Sequence, residues 1–182
     1  MKDYISWNEA ANLISCLEKE QNYRFSLLVF VSLHTGMRIN DILRLRWCDI
    51  INVPALCFTE SRTSKNRTIL LTHEMEEYFL ASYNRIMKPA LKEYCFISQK
   101  KSVYSVQRVN QLLKTHSAKC DIQNVSITTN TLRKTFGREL YYKTGREAII
   151  FLMEYFSHPS IQFTLEYLQL ESESDTMFLF KL

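Results

Sequence analysis

Glycine and proline are scarce, three of each in 182 residues, and Gly36, Gly137 and Gly145 lie too far apart to build a Gly-X-Gly-X-X-Gly turn or a Gly-rich phosphate loop. The common nucleotide-binding loops are therefore excluded. Long hydrophobic runs are missing too. The longest, Phe25 to Leu33, is broken by Ser26 and Ser32 and falls far short of the roughly 20 residues that cross a bilayer. No membrane partner is expected. The opening Met1-Lys2-Asp3 leads into polar sequence rather than the apolar stretch of a secretory signal, so a cytoplasmic location is expected. Cysteines stand at 16, 48, 57, 95 and 120, odd in number and without a Cys-X-X-Cys pair. They read as reduced structural thiols, with no metal site among them.

What remains is ordinary globular material, 46% hydrophobic, 23% charged and 13% aromatic, enough for one compact domain. The 23 basic and 19 acidic side chains leave a net charge of +4, which permits a nucleic-acid partner without requiring one.

Along the chain, Ser6-Trp7-Asn8-Glu9 is a capping box that opens an amphipathic helix through Leu17. Tyr23 to His34 carries apolar residues at helical spacing and stops at Gly36, suited to a left-handed cap. Asn40 is expected to cap a short helix through Arg46. From Ile50 to Leu71 the pattern turns strand-like, with a polar stretch, Thr59 to Thr68, in its middle. This predicts a β-hairpin with a basic tip, Arg62 to Arg67. Helices are expected at His73 to about Ile86, Val106 to Ala118, Thr131 to Tyr142, Glu147 to Phe156 and just after Pro159. The fold class is α+β, mostly α, with one small antiparallel sheet.

Three separated segments then stand out together: Thr35-Gly36-Met37-Arg38-Ile39-Asn40-Asp41, Asn130-Thr131-Leu132-Arg133-Lys134, and Ser157-His158 followed nine residues later by Tyr167. Singly, each has an ordinary structural reading as a solvated cap, a surface arginine or a core tyrosine. In this order and spacing they resemble the catalytic domain of the tyrosine recombinases, the phage-integrase family, which shares its fold with type IB topoisomerases. The resemblance covers roughly Ser6 to Leu168 and implies a catalytic domain over residues 1–170.

In that family a Thr-Gly-X-Arg-X-X-Glu segment supplies one arginine, a His-X-X-Arg segment a second, and a Gly-His segment precedes the nucleophilic tyrosine. The resemblance thus implies that Arg38 and Arg133 hold the scissile phosphate, His158 hydrogen-bonds it, and Tyr167 attacks to form a covalent 3′-phosphotyrosine. The chemistry agrees with these residue types. Breaking a phosphodiester demands donors for the non-bridging oxygens, and guanidinium forks are suited to that task. A phenol becomes a competent nucleophile when aligned and helped to lose its proton. The resemblance implies duplex DNA as partner, a homo-oligomer on DNA, and no metal or other cofactor.

Several positions depart from the family pattern. Asp41 stands where glutamate usually supports the first arginine, and Ser157 where glycine usually precedes the histidine. Asn130 replaces the usual histidine, and an amide can donate to phosphate but cannot exchange a proton near neutral pH. Arg62 takes the place of the hairpin lysine that protonates the leaving 5′ oxygen. Arginine is a poor acid because its pKa exceeds about 12, so Lys65, three residues on, is assigned the general-acid role; a solvated loop lysine is its alternative. Arg62, Arg67 and Lys134 are expected to contact the DNA backbone.

The chain begins at the catalytic domain, without the additional N-terminal domain of many family members, so weak DNA grip on its own is expected. The tail, residues 171–182, joins an acidic spacer to an apolar strip, Thr176 to Phe180. It suits docking onto its own core or onto a neighbouring subunit, and the resemblance favours the neighbour. A site-specific recombinase is the leading function. The departures leave open a catalytically weakened DNA-binding regulator of the same fold, a relaxing activity of topoisomerase type, or a helical interaction module.

Overall fold

A computed structural model describes residues 3–120, 122 and 126–170. The acidic spacer and apolar strip of the tail lie outside the described residues. Helix α1 (Trp7–Lys19) starts where Ser6 and Glu9 satisfy each other's backbone donors, and it buries Ala10, Leu13 and Leu17 along one face. Helix α2 (Tyr23–Thr35) is buried on almost every side, from Phe25 to Leu33. A helix apolar all round belongs at the centre of a core, and α1, α4 (His73–Arg85) and α6 (Thr129–Thr144) pack around it. Between α2 and α4 come a single turn, α3 (Ile39–Ile42), and an antiparallel pair, β1 (Ala55–Thr59) and β2 (Asn66–Leu70), in register from Ala55 opposite Leu70 to Thr59 opposite Asn66. Helix α5 (Val106–Lys119) precedes α6.

Helices α7 (Glu147–Phe156) and α8 (Ile161–Leu168) form a second apolar cluster of Leu152, Phe156, Leu165 and Leu168 with Phe136 of α6 packed against it. Two glycines let this cluster close. Gly36 ends α2 with φ of +60°, and a Cβ there would sit 2.2 Å from Phe136 Cδ1. Gly137 faces α8, where a Cβ would meet Leu168 Cδ2 at 2.6 Å. The carboxyl end of α2, the first turns of α6 and helix α8 therefore converge at one place.

Element boundaries differ from the sequence reading at several points, and α3 ends at Ile42 where the sequence predicts a helix through Arg46. Arg38 is extended and precedes the first residue of α3, so Asn40 sits inside the turn and does not cap it. The β-turn is confined to residues 60–65, because Arg67 pairs with Phe58 inside β2. Helix α6 starts at Thr129 because the Thr128 hydroxyl accepts from the Thr131 amide. No helix among the described residues is long and apolar enough to cross a membrane.

Gly36→Ala is expected to destabilise the fold by about 3 kcal/mol, from left-handed backbone strain and overpacking against Phe136 together. Chemical denaturation measures it; a loss below about 1 kcal/mol would show that this junction is not tightly packed.

Candidate active site

Arg38 leaves the chain just past the αL cap of α2. Its Nη1 donates to Glu60 Oε1 at 2.9 Å and its Nη2 to the Phe156 carbonyl at 2.8 Å. One guanidinium thus ties the hairpin to the end of α7. Glu60 is 4% exposed. Burial pushes its carboxyl up, but the Thr63 hydroxyl, Arg38 and Arg67 together outweigh that, and it lies below the ordinary carboxylate range.

Arg133, in the second turn of α6, is 7% exposed. Its Nη1 donates to the Gly36 carbonyl at 2.5 Å, and its guanidinium carbon lies 4.2 Å from the centre of the Phe156 ring. Its Nη2 is buried without a hydrogen-bond partner. Burial, opposed by Tyr167 and reinforced by Arg38, lowers its pKa to about 10, so it stays cationic at neutral pH. Tyr167, on α8, packs edge-on to His158 at 4.9 Å and to Phe156 at 5.7 Å. Burial raises its phenol above the ordinary value, while Arg133 and Arg38 pull it down.

His158 follows Ser157, which ends α7 with φ of +58°. That left-handed conformation is the physical reason glycine suits this position. The His158 Nδ1 lies 3.1 Å from Thr164 Oγ1, whose own proton is directed to the Ser160 carbonyl at 3.2 Å. With Thr164 donating to Ser160, its oxygen is free to accept from an Nδ1–H, the arrangement that leaves a lone pair on Nε2. Burial first, then Arg133, Arg38 and Arg62, lower the His158 pKa to about 4, so the ring is neutral at pH 7.

Arg38, Arg62, Asn130, Arg133, His158 and Tyr167 all line one open cleft of about 740 Å³. Lys65 does not line it; the lysine is exposed at the hairpin turn. Asp41 does not pair with Arg38: its Oδ1 accepts from the Ser61 amide at 2.8 Å, holding the start of the turn, and the carboxylate that meets Arg38 is Glu60. Arg67 turns inward, 3.5 Å from Glu60 and donating to the Glu154 carbonyl at 3.3 Å, a geometry that clamps β2 onto α7. Lys134 pairs with Asp3 at 3.0 Å and lies outside the cleft lining.

Sequence reading missed Glu60, although it is the lone acid among the basic residues of the turn. It also missed Thr164, whose hydroxyl pairs with His158 Nδ1, and Tyr155. Tyr155 lies beside the same arginines, but its hydroxyl donates to the Thr35 carbonyl at 2.7 Å, and burial pushes its pKa up to about 12. That bond occupies its proton, so of the two tyrosines beside Arg133 only Tyr167 lines the cleft.

A mostly helical domain with a two-stranded sheet, gathering two arginines, a histidine and a tyrosine around one cleft, is the arrangement of a tyrosine recombinase catalytic domain. The chain belongs to the phage integrase family, whose family model matches residues 3–174. It is 30% identical over 156 residues to the probable integrase/recombinase YoeC of Bacillus subtilis (strain 168), covering 85% of this chain and 82% of that protein. Among solved structures it is similar to the XerA recombinase, with TM-score 0.76, 22% identity, and coverage of 99% of this chain and 64% of the other. XerH site-specific recombinase bound to its palindromic difH substrate, a post-cleavage complex, gives TM-score 0.72 at 19% identity, covering 97% of this chain and 52% of the other.

A pH effect follows from His158. Its folded pKa of about 4 lies below the unfolded value of about 6.5, so between these the unfolded state binds more protons. Its contribution to stability is therefore lost as pH falls from about 6.5 to about 4. Urea midpoints of the wild type and His158→Gln across pH 7 to 4 measure it. The difference between them is expected to change across that window, and a constant difference would contradict the assignment.

Proposed function

We propose that the protein breaks and rejoins duplex DNA as a site-specific recombinase, with Tyr167 forming a transient 3′-phosphotyrosine. The observation that carries this reading is the buried, unpartnered Nη2 of Arg133 in a cleft shared with Arg38, His158 and Tyr167. An unsatisfied buried donor costs about 1–3 kcal/mol, and a phosphate oxygen entering the cleft would remove that cost. Family membership and the YoeC relative support the same function.

In the proposed reaction the scissile phosphate sits between Arg38 and Arg133, whose donors stabilise charge growing on its non-bridging oxygens. The Tyr167 oxygen forms a bond to phosphorus as the phenol passes its proton to water in the open cleft. The bond to the 5′ oxygen breaks, and that oxygen takes up a proton. Rejoining reverses these steps with a 5′ hydroxyl as nucleophile. A negative phosphate offsets the arginine part of what holds His158 neutral, burial being the larger part, and so favours a proton at Nε2 that hydrogen-bonds the phosphate. Arg62 stands at the cleft as a phosphate ligand. Lys65 acts as general acid once the exposed turn folds toward DNA. Exchange between two duplexes needs a nucleophile for each strand cut, and this chain offers one cleft, so the working form is a homo-oligomer on DNA.

Nicked duplexes of randomised sequence, incubated with EDTA and no nucleotide, test the reading. The wild type is expected to trap a covalent adduct, Tyr167→Phe none, and Arg38→Ala or Arg133→Ala about 100-fold less, corresponding to about 3 kcal/mol for a lost preorganised donor. Binding without any adduct would favour a DNA-binding regulator of the same fold, as Asn130 at its position suggests.

The acid is tested separately. Lys65→Met is expected to slow cleavage more than about tenfold on ordinary DNA, yet cleave a 5′-bridging phosphorothiolate as fast as wild type, because a thiolate leaves unprotonated. Equal slowing on both substrates would remove Lys65 from this role.

A further inference from the structure

We propose that Lys134 is a positioning residue for Tyr167, gripping the face of its ring, and not a DNA contact; the inference rests on Tyr167 being the nucleophile. Lys134 follows Arg133 on α6, so its side chain leaves the helix about 100° around the axis. Its Nζ lies 5.0 Å from the centre of the Tyr167 ring and 3.0 Å from Asp3 Oδ2. The side chain is only 13% exposed. To reach a DNA phosphate the ammonium would have to leave both partners.

The other contacts on Tyr167 make this grip consequential. His158 and Phe156 meet the ring with interplanar angles of 68° and 71°. The side chain that follows Arg133 on α6 thus holds the face of this tyrosine, and Asp3, far away in sequence, fixes that cation in place. In-line attack depends on the phenol dwelling in one orientation. An ammonium over a ring face favours that orientation electrostatically, and its attraction grows as the ring gains negative charge on losing the phenolic proton.

Lys134→Met, Lys134→Arg and Asp3→Asn, each in the full chain, test the proposal by three measurements. The first is the NMR resonance of Tyr167 in free protein carrying 13C-labelled tyrosine, identified by its loss in Tyr167→Phe. The others are the adduct rate at saturating nicked DNA of randomised sequence, and the salt dependence of binding to that pool. Lys134→Met is expected to move the Tyr167 resonance and lower the adduct rate about tenfold, with an unchanged salt slope, and Lys134→Arg to restore both.

An unmoved resonance, with weaker binding and a salt slope smaller by about one, would assign Lys134 to the DNA backbone and overturn the proposal. Should Lys134→Met not fold, Asp3→Asn, which leaves both contacting side chains in place, is expected to move the resonance in the same direction; no movement overturns the proposal. Absence of adduct from the wild type would count against the recombinase reading, while the resonance of the free protein still decides the role of Lys134.

Discussion

The structure depends on keeping one guanidinium charged inside an apolar wall. Desolvating a cation costs several kcal/mol unless partners replace its water, and Arg133 finds its partners on separate elements: the Gly36 carbonyl at the end of α2 and the Phe156 ring at the end of α7. Tyr167 on α8 adds an electrostatic attraction that opposes the loss of its proton. Those partners draw three helix ends to one point. Gly36 serves both sides, since its positive φ aims the carbonyl and its missing Cβ admits Phe136. Packing and site electrostatics at this junction are one problem, and a residue that satisfies the first without the second leaves a fold with no anion site.

Much of the architecture was legible because its signals are local. Ser6 and Glu9 announce α1, Gly36 ends α2, and the polar break between apolar strand patterns announces the hairpin. The boundaries that were misplaced depend on contacts beyond the local window. Arg67 looks like part of a solvated tip by charge, yet Glu60 and the α7 carbonyls draw it into β2. Asn40 looks like a cap, yet the chain turns helical one residue earlier because Arg38 is held extended between Glu60 and Phe156.

The cleft residues follow the same division. Arg38, Arg133, His158 and Tyr167 were readable because each sits at a fixed offset from a structural signal or from a partner motif. Glu60, Thr164 and Tyr155 carry no such mark, since their importance lies in pairing across the fold: Glu60 with Arg38, and Tyr155 with the Thr35 carbonyl. Thr164 is only six residues from His158, but its hydroxyl meets the imidazole only because the chain turns between α7 and α8, which no pattern of residue types encodes. Charge alone does not show that Arg67 and Lys134 also have acidic partners within the protein, Glu60 and Asp3.

These pairings bear on which part of the reaction is hard. Arginines supply phosphate donors in abundance, so stabilising the phosphate is well provided for. Protons are not. Asn130 cannot accept one, Arg62 does not release one, His158 is neutral with its Nδ1 tied to Thr164, and burial makes Tyr167 a weaker acid than a free phenol. Burial first, and then the three arginines, depress His158 in the free cleft, so the proposed acid, Lys65 on the exposed turn, is the group left to deliver a proton to the leaving oxygen.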